Sequence, residues 1–177
     1  MPNTADTNPN TIPTLMRSIV LNEPNEDINL SDTQLPVPQC TGNELLVKVE
    51  YVGLNPVDAQ FAKSGFCTWQ YPHVLGLDAV GTVVKAGKGI FPGVGERVMW
   101  HASVGEQGVL SEYAKVPNYA VSIIPQQLAS DKAATLPCAG MAALISLDKL
   151  SVTEGDTLFV EGGTGAVGQF SIQFAKQ

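Results

Sequence analysis

The sequence predicts a mainly β domain of antiparallel barrel or sandwich type with short helices, followed by the opening strand, turn and helix of a doubly wound α/β unit. Three observations lead there. Short runs of strand composition recur between Arg17 and Ile124, bounded by turns rich in glycine and proline. Helix-start signals at Asn55-Pro56 and at Ser130 interrupt them. Finally, the apolar run from Thr157 to Glu161 leads into Gly163-Thr-Gly-Ala-Val-Gly168 and then a helical pattern, the order of a phosphate-binding turn.

Taken in chain order, Arg17 to Leu21 and Leu45 to Val52 are strands, the second alternating Leu46, Lys48 and Glu50 against Val47 and Val49. Asn55 is a helix N-cap, Pro56 suits the first helical position, and Asp58 sits in the first turn of a short helix running towards Ser64-Gly65. Strands follow at Asp78 to Lys85 and Arg97 to Trp100, separated by the glycine-rich turns of Ala86 to Gly95. Ser111 to Val116 and Ala120 to Ile124 complete the β pattern. A helix begins at Ser130 and breaks before Pro137, and a second runs from Cys138 to Leu150. Thr153 to Asp156 then turns the chain into the Thr157 to Glu161 strand.

The glycine motif has a task for each residue. Gly163 allows the tight turn, Gly165 lets the backbone approach a pyrophosphate, and Gly168 lets helix and strand pack closely. The helix from Ala166 to Lys176, apolar at Ala166, Val167, Phe170, Ile172, Phe174 and Ala175, presents its unpaired N–H groups to the phosphates. Gly163, Thr164, Gly165, Ala166, Val167 and Gly168 are the cofactor-binding candidates. One strand and one helix cannot build a doubly wound sheet, so the chain is expected to be the N-terminal part of a longer enzyme. Taken alone it is expected to be inactive and to bind dinucleotide weakly or not at all.

Three segments result: a disordered extension at 1–15, a β-rich catalytic domain at 16–150, and a truncated dinucleotide-binding (Rossmann) domain at 151–177. Residues 1–15 have neither the basic start nor the apolar centre of a signal peptide. A content of 44% hydrophobic and 15% charged residues suits a soluble globular protein. The net charge of −7 offers nucleic acid or an anionic membrane no attraction. No apolar run approaches the roughly 18 residues of a membrane helix. Cys40, Cys67 and Cys138 are odd in number and widely spaced, which argues against a disulfide framework or a cysteine-rich zinc site and for a reducing cytoplasm. The expected partner is a small-molecule substrate, with self-association into a homo-oligomer left open.

The succession Gly53-Leu-Asn-Pro-Val-Asp58, Pro72-His-Val-Leu-Gly-Leu-Asp-Ala-Val-Gly81, Val94-Gly-Glu-Arg-Val98, Ser111-Glu-Tyr-Ala114, Ala133-Ala-Thr-Leu-Pro137 and the glycine turn resembles the medium-chain dehydrogenase/reductase family, in its zinc-independent quinone oxidoreductase branch. The resemblance runs from Met16 to Gln177. It implies a GroES-like β-barrel on the substrate side of a cleft, NADPH or NADH as cofactor, and a quinone, enone or related carbonyl compound as acceptor. Zinc-dependent relatives carry a cysteine where this chain has Asn55 and Gly-His-Glu where it has Gly76-Leu77-Asp78, so the resemblance implies no zinc.

His73 and His101 lack a ligand-type partner at short spacing and read as surface or cleft-edge residues. The resemblance also places Asn55 opposite nicotinamide and substrate, where its amide would donate to a carbonyl; the plainer reading is a helix cap alone. Tyr51 and Trp100 are candidates for the substrate cleft, although aromatic residues on strands are more often core. Met141, a further cofactor-binding candidate, stands where the resemblance implies a threonine hydroxyl near the cofactor; methionine cannot make that hydrogen bond, so either the contact is made by backbone alone or affinity is reduced. Two functions remain open: a hydride-transferring reductase, or a non-catalytic relative that keeps the fold for binding. The residue that chooses NADH or NADPH is expected about 20 residues beyond the glycine motif.

Overall fold

The computed structural model describes residues 11–177. Its elements in order are β1 (Leu15–Leu21), β2 (Leu30–Pro36), β3 (Glu44–Gly53), α1 (Pro56–Ser64), β4 (His73–Val74), β5 (Asp78–Ala86), β6 (Arg97–His101), β7 (Tyr113–Pro117), β8 (Val121–Ile123), α2 (Ser130–Ala133), α3 (Pro137–Leu150) and α4 (Ala166–Phe174). The strands form two antiparallel sheets, ordered β2-β1-β4 and β7-β3-β5-β6-β8. The fold is the mainly β one expected, with short helices.

The five-stranded sheet is built around β3 and β5. Two register irregularities on β3, between Leu46 and Val47 and between Val49 and Tyr51, increase local twist and curl the sheet around its core. Leu45, Val47, Ala79, Val83, Val98, Trp100, Val109, Ala114 and Val116 fill that core. At Gly81 the β3 backbone comes so close that a Cβ would strike the Lys48 carbonyl, so only glycine fits.

Two strands lie outside the expected set. The β2 run Leu-Ser-Asp-Thr-Gln-Leu-Pro carries no clean apolar face; it is a strand because β1 supplies partners from Leu15↔Pro36 to Leu21↔Leu30. Strand β4 has only two residues, too few for any periodicity to show. The ladder at the other end is shorter than expected: β7 begins at Tyr113, and a 3-10 turn at Asn118–Ala120 precedes a three-residue β8. The expected strand from Thr157 to Glu161 is not formed: Thr157 to Val160 are irregular, Glu161 is already in a turn, and no neighbouring strand among the described residues hydrogen-bonds the run. Helix α4 forms but ends at Phe174 rather than Lys176.

Pro137 splits the helical region as expected, with α2 ending at Ala133 and α3 starting on the proline itself, at the position where its missing N–H is harmless. Residues 1–10 of the expected extension lie outside the described residues. Order begins before Met16: Ile12 packs on the Met16, Val37 and Leu46 cluster, and the Thr14 carbonyl accepts the Val37 N–H at 3.0 Å.

His73 departs from its expected surface or cleft-edge position. Pairing of β4 with β1, through Leu21↔His73, carries it inside, where it is 3% exposed and stacks on Trp69 at 3.7 Å between centroids. Trp69 is fixed in turn by its indole N–H, which donates to the Val104 carbonyl at 2.6 Å. Burial disfavours the imidazolium and lowers the His73 pKa from 6.5 to about 4.

The unfolded chain therefore binds a proton at His73 that the folded chain excludes, and stability present above pH 6.5 is lost as pH falls towards 4. Chemical denaturation of the wild type and of His73→Phe checks this. Between pH 7.5 and pH 5 the wild type is expected to lose about 2 kcal/mol more than the variant, from the shift of His73 alone.

Candidate active site

The site begins where β3 runs out. Gly53 pairs with Asp78, and a Cβ at Gly53 would strike the Ala134 carbonyl, so the backbone leaving β3 lies directly against the segment between α2 and α3. Two residues on, Asn55 takes an extended conformation and caps α1. Its N–H donates to the Asp58 carboxylate at 2.7 Å and its carbonyl accepts the Asp58 N–H at 3.0 Å, which fixes the first turn. Burial raises the Asp58 pKa above the usual carboxylate range, against the lowering effect of the Asn55 N–H.

The Asn55 side chain points to a second carboxylate. Asn55 Nδ2 donates to Asp78 Oδ2 at 2.9 Å, and the Cys138 backbone N–H, in the first turn of α3, donates to the same oxygen at 3.0 Å. The other oxygen, Oδ1, lies 2.6 Å from Nδ1 of His101, the register partner of Asp78 at the end of β6. Asp78 is 1% exposed, so one buried carboxylate ties together α1, β5, β6 and α3. The Cys138 thiol beside it is pushed up, first by burial and then by the charges of Asp78 and Asp58.

Asp78, His101 and Cys138 also bring three ligand-type atoms within 4.8 Å of one another. The set is closed rather than open, since both carboxylate oxygens already accept protein hydrogen bonds and the thiol is held in its protonated form. A metal ion would have to displace those donors and take the thiol's proton.

A cleft of about 550 Å³ opens beside this network. Asn55, Gln60 and Cys138 line one side, and Gly162, Gly165, Ala166, Val167 and Gly168 the other. The glycine turn fits a pyrophosphate. A Cβ at Gly165 would meet nothing nearer than the Gly162 carbonyl at 3.4 Å, leaving that backbone open, and the first N–H groups of α4 have no intrahelical acceptor. A Cβ at Gly168 would strike the Gly162 carbonyl, so α4 packs tightly against the turn, not against a strand. The tight turn, however, falls to Gly162, with φ +72°, and not to Gly163.

The structure brings Asn55 and Gly165 to Gly168 to one cleft; other expected site residues lie elsewhere. Gly163 is partly covered by Ile172, and Thr164 turns its carbonyl to the Gln169 side chain at 2.8 Å. Met141 is half-exposed on α3, beyond Cys138 and Ala139, which line the cleft in its stead. Tyr51 is half-exposed on β3 and away from the cleft. Trp100 is buried in the barrel core and borders a different cavity of about 680 Å³. Asp78, His101 and Cys138 were not expected as a unit. The signal for Asp78 was an acid inside the apolar run Val74-Leu-Gly-Leu-Asp-Ala-Val80, a position that burial permits only with partners.

A curved antiparallel barrel is thus joined to a glycine turn, with a polar cap residue facing that turn. The model of the alcohol dehydrogenase GroES-like domain matches residues 41–126. A zinc-type alcohol dehydrogenase-like protein of Staphylococcus epidermidis is 34% identical over 79% of this chain and 44% of its own length. The chloroplast envelope quinone oxidoreductase homolog of Arabidopsis thaliana is 32% identical over 83% of the chain and 48% of its own length. The solved quinone oxidoreductase of Coxiella burnetii superposes with a TM-score of 0.83 at 28% identity, covering 92% of this chain and 53% of that one. The chain belongs to the medium-chain dehydrogenase/reductase family and carries its GroES-like domain. It spans about half the length of the curated relatives it matches.

Removing the Asp78 carboxylate leaves the Asn55 amide, the His101 ring and the Cys138 N–H without their acceptor. Asp78→Ala is expected to cost about 3 kcal/mol or more in urea denaturation. A loss below about 1 kcal/mol would show that the network does not hold the site together.

Proposed function

We propose that the protein carrying this chain transfers hydride from NADPH or NADH to a quinone, enone or related carbonyl compound without a metal ion, in a reducing cytoplasm. The observation that carries the proposal is the placement of Asn55 and the glycine turn across one cleft, with the amide oriented by Asp78. The bound nicotinamide supplies the hydride. The chain's own residues bind and orient: the Gly165 to Gly168 backbone takes the pyrophosphate, and Asn55 faces the place where the acceptor oxygen gains negative charge.

One Asn55 N–H is committed to Asp78 and the second is available to that oxygen. The side chain and the backbone of Asn55 thus do separate work, the backbone and Asp58 fixing the helix start while the amide serves the cleft. Absence of metal is supported by the engaged oxygens of Asp78 and by Asn55 and Leu77 standing where zinc-dependent relatives have ligands. A non-catalytic relative that keeps the fold is the second reading, favoured by Met141 in place of the threonine.

Oxidation of NADPH or NADH by the full-length protein, with a series of quinones and enones as acceptors, separates the two readings: the reductase turns over and the binding relative does not. In an active protein Asn55→Ala is expected to lower kcat by about tenfold or more, about 1.4 kcal/mol of transition-state stabilisation. Unchanged turnover per folded molecule would leave Asn55 a cap alone. Plasma emission analysis of chelator-washed protein is expected to find no stoichiometric zinc, and one zinc per chain with activity lost on its removal would contradict the metal-free proposal.

A further inference from the structure

Hydride transfer to a carbonyl acceptor is half a reduction. The electron pair left on the acceptor oxygen needs a proton, and an amide such as Asn55 donates a hydrogen bond without releasing one. The group that can release one lies on the same carboxylate. His101 ends β6 with Nδ1 2.6 Å from Asp78 Oδ1, while Asn55 holds Oδ2. The His101 side chain is 30% exposed, and among the described residues its Nε2 has no protein hydrogen-bond partner.

The ring borders one opening and neighbours a residue that lines the other. His101 borders the cavity of about 680 Å³ with Trp100 and Glu106. It also lies within 4.8 Å of a side chain, Cys138, that lines the cleft shared by Asn55 and the glycine turn. The ionised Asp78 accepts only, so it fixes the hydrogen on Nδ1 and leaves Nε2 as the nitrogen that exchanges its proton. This is the arrangement by which a buried carboxylate orients a general acid–base histidine. Asp58 on α1 and Cys138 on α3 lie near the ring, and the cavity it borders also carries Glu44, Glu106 and one cation, Lys115.

We propose that His101, held by the Asp78 carboxylate, is the proton donor that completes reduction of the acceptor, with solvent reloading it through the larger cavity. The inference rests on the hydride-transfer reading above. The acceptor carbon would gain the hydride that a bound reduced nicotinamide supplies, and the π pair of that carbonyl or enone would move to oxygen. The Nε2–H bond of the protonated ring breaks, its electron pair stays on the ring, and an O–H bond forms. A proton from water then restores Nε2, and Asp78 keeps Nδ1–H throughout.

The test uses the full-length protein with NADPH and 2-cyclohexen-1-one. His101→Asn and His101→Phe are expected to lower kcat by about 100-fold or more while KM stays within about threefold, the size of effect a positioned acid supplies. The wild type is expected to lose rate as pH rises and the ring gives up its proton, and the variants to lack that dependence. Added imidazole is expected to restore part of the rate of His101→Gly. Ring 15N spectra of the 177-residue chain give a readout independent of turnover: Nδ1 protonated throughout, Nε2 carrying the titration, and mixed tautomers in Asp78→Asn. Variants that keep the wild-type kcat and pH profile overturn the inference alone, as does a spectrum in which Nδ1 titrates; should the variants fail to fold, that spectrum decides. An unaltered protein that oxidises neither NADPH nor NADH with any quinone or enone overturns the hydride-transfer reading and this inference together.

Discussion

Asp78 is a fully buried carboxylate surrounded by donors from three other elements, and the geometry of the cleft follows from satisfying it. Hydrogen bonds to a charged group contribute about 1.5–3 kcal/mol each, and withdrawing a carboxylate from water costs several kcal/mol, so the two sides nearly cancel. What remains is directional. The start of α1 must present the Asn55 amide, β6 must end on His101, and α3 must begin with an N–H aimed at Oδ2. The tight approaches at Gly53 and Gly81 are the backbone counterpart, allowing these elements near enough to share one acceptor pair. Satisfying one charge thus fixes four elements in a single arrangement.

That arrangement bears directly on chemistry. A carboxylate engaged by an amide, a backbone N–H and an imidazole orients polar groups rather than offering an open ligand set. Facing it across the cleft, Ala166 to Gly168 present the first N–H groups of α4, which have no intrahelical acceptor, where negative charge is favoured. On the proposed reading one wall receives the diphosphate and the other the developing oxyanion. The separation of tasks between barrel and glycine turn is the physical content of the family assignment.

Much of the fold was legible because it is written in local patterns. The alternation of β3, the Asn55-Pro56 start of α1, the break at Pro137 and the glycine spacing each carry their own signal. The failures share a cause in tertiary context. Strand β2 has a polar pattern and exists through β1; the Thr157 to Glu161 run has strand composition and no partner. His73 is carried inside by a two-residue strand that leaves no periodicity to read.

The site shows the same division. Gly165 and Gly168 were readable because the turn is contiguous, whereas Asp78, His101 and Cys138 are far apart in sequence and meet only through sheet register and the placement of α3. Tyr51 and Trp100 share the same residue class but sit on the outside and the inside of the barrel respectively. The account stands on the cleft between Asn55 and the glycine turn being a dinucleotide site. Amide shift mapping of the 15N-labelled 177-residue chain with NADPH tests this directly. The predicted result is weak binding, with shifts confined to the Asn55 side chain, Cys138, Ala139 and Gly162 to Gly168; shifts at the Trp100 cavity instead, or none at millimolar NADPH, would contradict it.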